Sequence, residues 1–145
     1  MKIKTKIFGE VEVSEKQRIY FESGILGFED LHSFFLIDIP DSNGPFYWLQ
    51  SEESIDIGFV VITPETIMPD YKLEVEKSDL EKIDIKSESD ILLFSIVTLY
   101  EDPSKNTVNL LGPIIINKRN LKAIQAISLN ENYSVRHPLI KRGEQ

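Results

Sequence analysis

Short segments rich in valine, isoleucine, phenylalanine and tyrosine recur along this chain, and turn-forming residues interrupt them at intervals of roughly ten. β-branched and aromatic side chains fit the pleated surface of a strand, and segments this short are typical of β proteins. Most connections are too short for a crossover, so neighbouring strands are expected to pair antiparallel. The pattern predicts a mainly β fold, a compact antiparallel barrel or sandwich of about ten short strands.

The hydrophobic pattern also predicts where the strands lie. In the first segment Ile3, Thr5 and Ile7 alternate with lysines, and a three-residue loop at 8–10 would place Lys6 opposite Glu12. The later strands are expected at 18–21, 33–39, 46–50, 57–63, 71–75, 91–100, 108–111 and 114–117, with 121–129 ambiguous between strand and helix. The segments 57–63 and 91–100 are apolar on both faces, which indicates central strands.

One short helix is expected. Ser78-Asp79-Leu80-Glu81 fits a capping box, with the hydroxyl of Ser78 as N-cap and Glu81 at the third helical position. The apolar spacing falls to two residues at Ile83-Asp84-Ile85, so the helix should end there.

The length of 145 residues suits one domain, expected over 1–135, followed by a polar, flexible tail over 136–145. The chain contains no cysteine, which excludes disulfides, thiolate metal sites and cysteine nucleophiles. No apolar leader or membrane-length run is present, so we expect a cytoplasmic protein without a membrane partner.

Few residues suggest catalysis or metal binding. His32 and His137 have no neighbouring partner of the kind found in catalytic triads. Asp41-Ser42-Asn43-Gly44 resembles part of a calcium loop, but the first and twelfth positions would be Ile39 and Gln50, which are not ligands. We therefore expect no enzyme activity, cofactor or metal. The alternative is a small β-barrel hydrolase or carbohydrate-active enzyme using paired carboxylates distant in sequence.

The net charge of −8 disfavours direct binding to nucleic acid, although Lys118, Arg119 and Lys122 form a small basic cluster. A field of this sign instead speeds the approach of a basic partner.

Several motifs in register resemble one protein family over nearly the whole chain. They are Phe21-Glu22-Ser23-Gly24-Ile25-Leu26-Gly27-Phe28, Pro45-Phe46-Tyr47-Trp48-Leu49-Gln50-Ser51, Gly58-Phe59-Val60-Val61, Asp70-Tyr71, Asn109-Leu110-Leu111-Gly112-Pro113-Ile114-Ile115-Ile116-Asn117, Gln125, and Tyr133 with Arg136-His137-Pro138-Leu139. In order and spacing they resemble the flagellar assembly factor FliW family, which often has alanine at the position of Gly112 and glycine near Ala123.

The resemblance implies a cytoplasmic regulator that binds flagellin and works without a cofactor. When flagellin is exported, the freed protein, expected to be a monomer, would bind and antagonise CsrA, a small RNA-binding translational repressor. The flagellin mRNA would then be translated. An acidic surface suits a basic partner, and an exposed strand edge suits capture of an extended segment.

Five residues are candidates for contact with a partner: Glu22, Tyr47, Gln50, Glu74 and Asn117. The two acids lie beside strand patterns, whereas the other three carry polar groups within or at the end of apolar strands. The competing interpretation is that the tyrosine and glutamine satisfy core hydrogen bonds and that the asparagine is a turn residue. The apolar motif residues are expected in the core: Phe21, Phe28, Phe46, Trp48 and Phe59.

Overall fold

The computed structural model describes residues 1–39 and 44–139. Eleven strands run through this part of the chain: β1 Lys2–Thr5, β2 Gly9–Glu12, β3 Arg18–Phe21, β4 Ser33–Asp38, β5 Phe46–Ser51, β6 Gly58–Ile62, β7 Ile91–Thr98, β8 Thr107–Val108, β9 Ile114–Asn117, β10 Lys122–Gln125 and β11 His137–Pro138. Two short α-helices and three 3-10 turns lie between them: α1 Pro64–Ile67, α2 Lys77–Lys82, Glu15–Gln17, Glu88–Asp90 and Pro103–Lys105. The predicted mainly β fold is confirmed, with two short helices in place of one.

Seven strands close into a barrel in the order β3-β4-β5-β6-β7-β9-β10, with β10 returning to β3. Six of the seven pairings are antiparallel, and only that of β10 with β3 is parallel. The expectation of antiparallel pairing rested on short connections between successive strands. That reasoning does not apply to β3 and β10, because these strands are about a hundred residues apart in the chain.

The barrel interior holds one hydrophobic cluster, in which Phe21, Phe34 and Leu49 are buried with residues of β7, β9 and β10. Three further clusters cover the outside of the wall. The β1–β2 hairpin packs on β4, the segments around 67–71 and 133–139 pack on β6, β7 and β8, and α2 with its flanking segments packs on β9. Both faces of several strands are therefore buried, which explains their continuous apolar sequence.

The first hairpin differs from its predicted register. Thr5 pairs with Gly9, so the turn comprises residues 6–8; Lys2, not Lys6, lies opposite Glu12, and Lys4 lies opposite Glu10. Gly9 has a φ of 68°, a left-handed conformation that glycine adopts readily, and it therefore closes the turn. Ile7, predicted to lie in the first strand and to alternate with lysines like Ile3 and Thr5, lies in the turn and is exposed.

Two other local predictions were wrong. Ser78 lies inside α2, whose N-cap is Glu76 and has no side-chain cap hydrogen bond. Residues 71–75 form no strand, although Leu73 and Val75 pack on the barrel. Their alternation produces an extended segment that buries one face against the barrel without joining a ladder.

The start of the predicted tail pairs with the sheet: His137 and Pro138 lie opposite Val108 and Thr107. Residues 140–145 lie outside the described residues, as does most of the predicted turn and calcium-like loop at 40–45, so the tail remains a prediction. Within the described ranges, no helix is long and apolar enough to cross a membrane.

Candidate functional site

A groove of about 850 Å³ opens on the barrel wall beside the first half of β7. We call it the edge groove; its lining comprises Thr63, Glu65, residues 71–74, Leu80, Glu88 and residues 91–93. The groove exists because β6 is too short to pair with the first residues of β7. Ile62 pairs with Ser95, and after Thr63 the chain turns into α1, which begins at Pro64.

The ladder between β6 and β7 stops at Pro64 for a chemical reason. By the register of the pair, Pro64 would lie opposite Leu93, and proline has no backbone N–H to donate. The pairing with β6 therefore ends at Ser95, while β7 continues toward its first residue, paired only with β9 on its other side.

The backbone of Leu93 faces the groove. The carbonyls of Asp90 and Ile96 accept hydrogen bonds from Lys118 and Asn109, on the side of β7 that carries β9 and β8. Because backbone groups alternate in direction along a strand, the N–H and carbonyl of Leu93 point to the opposite side, toward the missing part of β6. Among the residues that the structure describes, none forms a hydrogen bond with Leu93 across this edge.

The side chains of β7 confirm that the groove lies against an edge and not against a face. Leu92 packs toward the barrel interior and Leu93 toward the outer clusters, yet both line the groove and both are half-buried. A cavity that touches successive residues pointing to opposite faces must wrap around the strand edge.

The outer wall of the groove is fixed by tyrosines. The Tyr71 hydroxyl donates to the Leu110 carbonyl at 2.8 Å, and its ring stacks on Tyr133 with centroids 4.6 Å apart. The Tyr133 hydroxyl in turn accepts from the Lys72 N–H at 3.0 Å. Burial raises the pKa of Tyr71, and the neighbouring Tyr133 and the charge of Glu65 raise it further by smaller amounts. The hydroxyl of Tyr71 therefore stays protonated and acts as a donor.

The lower end of the groove is fixed by a buried carboxylate. Asp90 accepts from the backbone N–H groups of Lys86 and Ser87 and forms an ion pair with Arg119 at 3.0 Å. Burial opposes ionisation, but the Arg119 hydrogen bond and charge, together with those N–H groups, lower the pKa of Asp90. The 3-10 turn that presents Glu88 to the groove is thereby held in place.

The rim carries mostly negative charge. Among the described residues that line the groove, Glu65, Glu74 and Glu88 are exposed acids and Lys72 is the single lysine. The floor between them is apolar, formed by leucine and isoleucine side chains of β7 and by Leu80 of α2. The groove therefore combines unpaired backbone groups, an apolar floor and an acidic rim.

The structure separates the five predicted contact residues. Glu74 lines the edge groove, and its backbone carbonyl accepts from the Leu129 N–H. Tyr47 is half-buried at the barrel interior, edge-on to Phe94 at 5.4 Å between ring centroids, next to Leu93 in β7. Glu22 is exposed in the turn after β3 and does not line the groove.

The two remaining residues have internal roles. Gln50 is 1% exposed; its oxygen accepts from the Trp48 indole at 2.8 Å, and its nitrogen donates to the carbonyls of Ser51, Ile55 and Ile57. Asn117, fully buried, links strand β9 to residues 83 and 84. In this structure both side chains are enclosed by the protein itself, so only Glu22, Tyr47 and Glu74 present surface to a partner.

Glu65, Glu88 and the unpaired edge at Leu93 also belong to the groove but were not predicted from the sequence. A signal for the edge was available: the predicted strand 91–100 is longer than its neighbour 57–63, and Pro64 prevents the shorter strand from extending.

The two histidines and two carboxylates with altered pKa values lie outside the edge groove. His32 lies 2.8 Å from the Phe21 carbonyl through Nδ1, and His137 belongs to β11. No group of three or more metal-binding side chains occurs in the part of the chain that the structure describes. Hydrogen bonds to Arg18 and to Ser104 lower the pKa of Glu52 and of Asp102, respectively, whereas a general acid in a glycosidase needs a raised carboxyl pKa.

These features define a class: a small closed β-barrel with an open strand edge and an acidic groove in its wall. The family model described as FliW protein matches residues 2–139, and the chain belongs to the FliW family. Similar relatives, each described as flagellar assembly factor FliW, occur in Thermoanaerobacter pseudethanolicus (41% identity over 97% of this chain and 94% of the relative), Caldicellulosiruptor bescii (42% over 96% and 90%) and Clostridium botulinum (41% over 97% and 98%). A crystal structure of the flagellar assembly factor FliW superposes with a TM-score of 0.86, at 36% identity over 99% of both chains. The resemblance inferred from the sequence motifs is confirmed.

Proposed function

We propose that this chain is a non-catalytic, protein-binding regulator of flagellar assembly that acts in the cytoplasm. It binds flagellin and, when free of flagellin, binds and antagonises CsrA, so that the flagellin message is translated. The observation that carries the proposal is the match to the FliW family over residues 2–139, together with near-full-length relatives described as flagellar assembly factors.

The charge of the molecule supports the second partner in particular. A net charge of −8 attracts a basic RNA-binding protein. It also repels RNA, the ligand with which this chain would compete for that basic partner. The edge groove supplies a surface on which a protein segment fits, with an apolar floor and acidic rim.

Titration calorimetry with purified flagellin, and separately with CsrA, tests the proposal. We expect saturable binding to each. The absence of heat with both proteins at concentrations of about 50 μM, equivalent to binding weaker than roughly 6 kcal/mol, would refute it.

A second measurement tests the antagonism. When this protein is added to a complex of CsrA with flagellin mRNA, free RNA should appear in a gel-shift assay, and flagellin added in excess should restore the complex. Binding to CsrA without release of RNA would contradict the regulatory half of the proposal while leaving protein binding intact.

A further inference from the structure

The unpaired edge of β7 sets a requirement on whatever fills the groove. We propose that the edge groove binds one extended polypeptide segment, with alternating apolar and basic side chains, that adds to the barrel as a strand against Leu93. The inference rests on the proposed function in that the segment belongs to a protein partner. It goes further by naming the site and the chemistry of the segment.

The backbone geometry carries the first step. Leu93 presents both an N–H and a carbonyl to the groove, where Pro64 interrupts the β6 ladder. An extended segment entering at this point would restore the two hydrogen bonds that β6 cannot make, which is the principle of β-strand addition. A helix could not do so, because its backbone groups already bond within the helix.

The lining residues carry the second step. Leu92 lines the groove from the interior face of β7 and is half-buried, so apolar side chains on the same face of an added strand would complete its packing. Alternate positions of that strand would point outward, toward the rim. Glu65, Glu74 and Glu88 lie there, and basic side chains are the complementary partners.

Charge also decides between a partner and a second copy of this chain. Exposed strand edges commonly pair with each other unless charge prevents it. Two copies joined edge to edge at β7 would bring two sets of Glu65, Glu74 and Glu88 together, and like charges across an interface are strongly unfavourable. The acidic rim therefore selects against self-association and in favour of a basic segment.

The test uses a fluorescein-labelled nine-residue peptide of alternating valine and lysine, added to the full-length protein. We expect saturable binding by fluorescence anisotropy. Two matched probes separate the requirements: a valine–glutamate peptide tests the charge, and a fully backbone N-methylated valine–lysine peptide tests the strand hydrogen bonds. Each should bind at least about tenfold more weakly.

Amide hydrogen exchange locates the binding without any substitution. Exchange of the Leu93 N–H should slow at least about tenfold when the valine–lysine peptide is saturating, because the amide gains a hydrogen-bond acceptor. The Leu92 N–H points toward β9 and should change little, which makes it the internal control. Peptide binding with unchanged Leu93 exchange would overturn the inference.

Paired charge reversals supply the variant test. The double variant Glu74→Lys with Glu88→Lys should bind the valine–lysine peptide at least about tenfold more weakly. The control is Glu101→Lys with Glu131→Lys, two exposed positions outside the groove, which changes the net charge equally and should retain most of the affinity. Circular dichroism checks that both variants are folded. Equal loss in the two double variants would overturn the inference.

The remaining outcomes distinguish this inference from the proposed function. If the peptide does not bind while flagellin or CsrA still binds, the groove is not the site, and the proposed function stands. If the peptide protects Leu93 and neither protein binds, the groove inference stands without its proposed context. A concentration-dependent dimer that protects Leu93 without peptide would make a second copy the occupant and overturn the inference.

Discussion

Asn117 shows how one side chain can hold several segments of this barrel together. Its amide nitrogen donates to the Ile83 carbonyl at 2.8 Å and to the Asp84 carbonyl at 3.2 Å, and its oxygen accepts from the Arg119 N–H at 2.8 Å. The side chain is fully buried, so water cannot replace these partners. Asp84 has a φ of 60°, outside the usual range for aspartate, and the hydrogen bonds from Asn117 help to keep it there.

We predict that Asn117→Ala lowers the free energy of unfolding by about 2 kcal/mol. The loss is moderate because Asn120 and Arg119 also donate to the Ile83 and Asp84 carbonyls, so the Arg119 N–H is the group left without its acceptor. Urea denaturation gives the value. The matched control is Asn120→Ala, at an exposed position whose weaker contacts can be replaced by water; it should cost about 0.5 kcal/mol.

Equal destabilisation by the two alanine variants would contradict this reasoning. It would mean that burial does not distinguish the two asparagines.

At the scale of elements, the turn before β7 depends on one ionised carboxylate. Ser87 and Asp90 cap the 3-10 turn at Glu88–Asp90 reciprocally, and Arg119 from beyond β9 pairs with Asp90. These contacts lower the pKa of Asp90 below the value near 3.8 expected for an unfolded chain. A carboxyl whose pKa is lower in the folded state stabilises the fold above its unfolded pKa, and this contribution is lost as the pH falls through the folded pKa.

We therefore predict that Asp90→Asn destabilises the protein at pH 7 and flattens the loss of stability below about pH 4. The asparagine cannot form the ion pair at neutral pH, and it has no charge to lose in acid. Urea midpoints measured at pH 7, 4 and 3 test this. The exposed residue Asp56 provides a matched control, and Asp56→Asn should follow the wild-type pH profile. Parallel profiles for wild type and Asp90→Asn would show that another group governs the acid transition.

Elements were predictable where hydrophobic alternation and a turn residue agreed. The segments predicted at 18–21 and 114–117 match β3 and β9 in both position and length. Residues 71–75 alternate equally well but form no strand, because alternation reports that one face is buried and not which backbone groups pair. The capping-box motif at Ser78 failed for a similar reason: the helix begins two residues earlier than the motif predicts, and tertiary packing of Leu80 and Ile83 fixes its position.

The candidate site was less predictable than the fold. Glu74 was identified as an acidic residue beside a strand pattern, and it does line the groove. Gln50 and Asn117 were identified by the same reasoning about polar groups in apolar strands, yet their hydrogen bonds are internal. A sequence shows that a polar residue interrupts an apolar run, but only the fold shows whether its partner is the chain itself or another molecule.

At the scale of the whole molecule, closure of the barrel depends on a contact that no local pattern indicates. Tyr20 and Phe21 pair in parallel with Lys122 and Ala123, and this pairing joins the two ends of a sheet that otherwise runs through successive neighbours. Closure leaves few open edges on the wall, so the unpaired half of β7 is an exception with a defined place.

The net charge of −8 is also a property of the whole molecule, and it yields a prediction about rates. We predict that the association rate constant with CsrA, the proposed basic partner, falls roughly tenfold as the ionic strength rises from about 0.01 M to about 0.15 M, because screening shortens the reach of the field. The dissociation rate should change much less, because it depends on contacts at close range. Stopped-flow mixing with labelled CsrA measures both rates.

Neutralising two exposed acids outside the edge groove, Glu101→Gln with Glu131→Gln, should lower the association rate modestly and leave dissociation unchanged, because these residues contribute only to the field. An association rate independent of salt would show that the acidic surface serves solubility and not encounter.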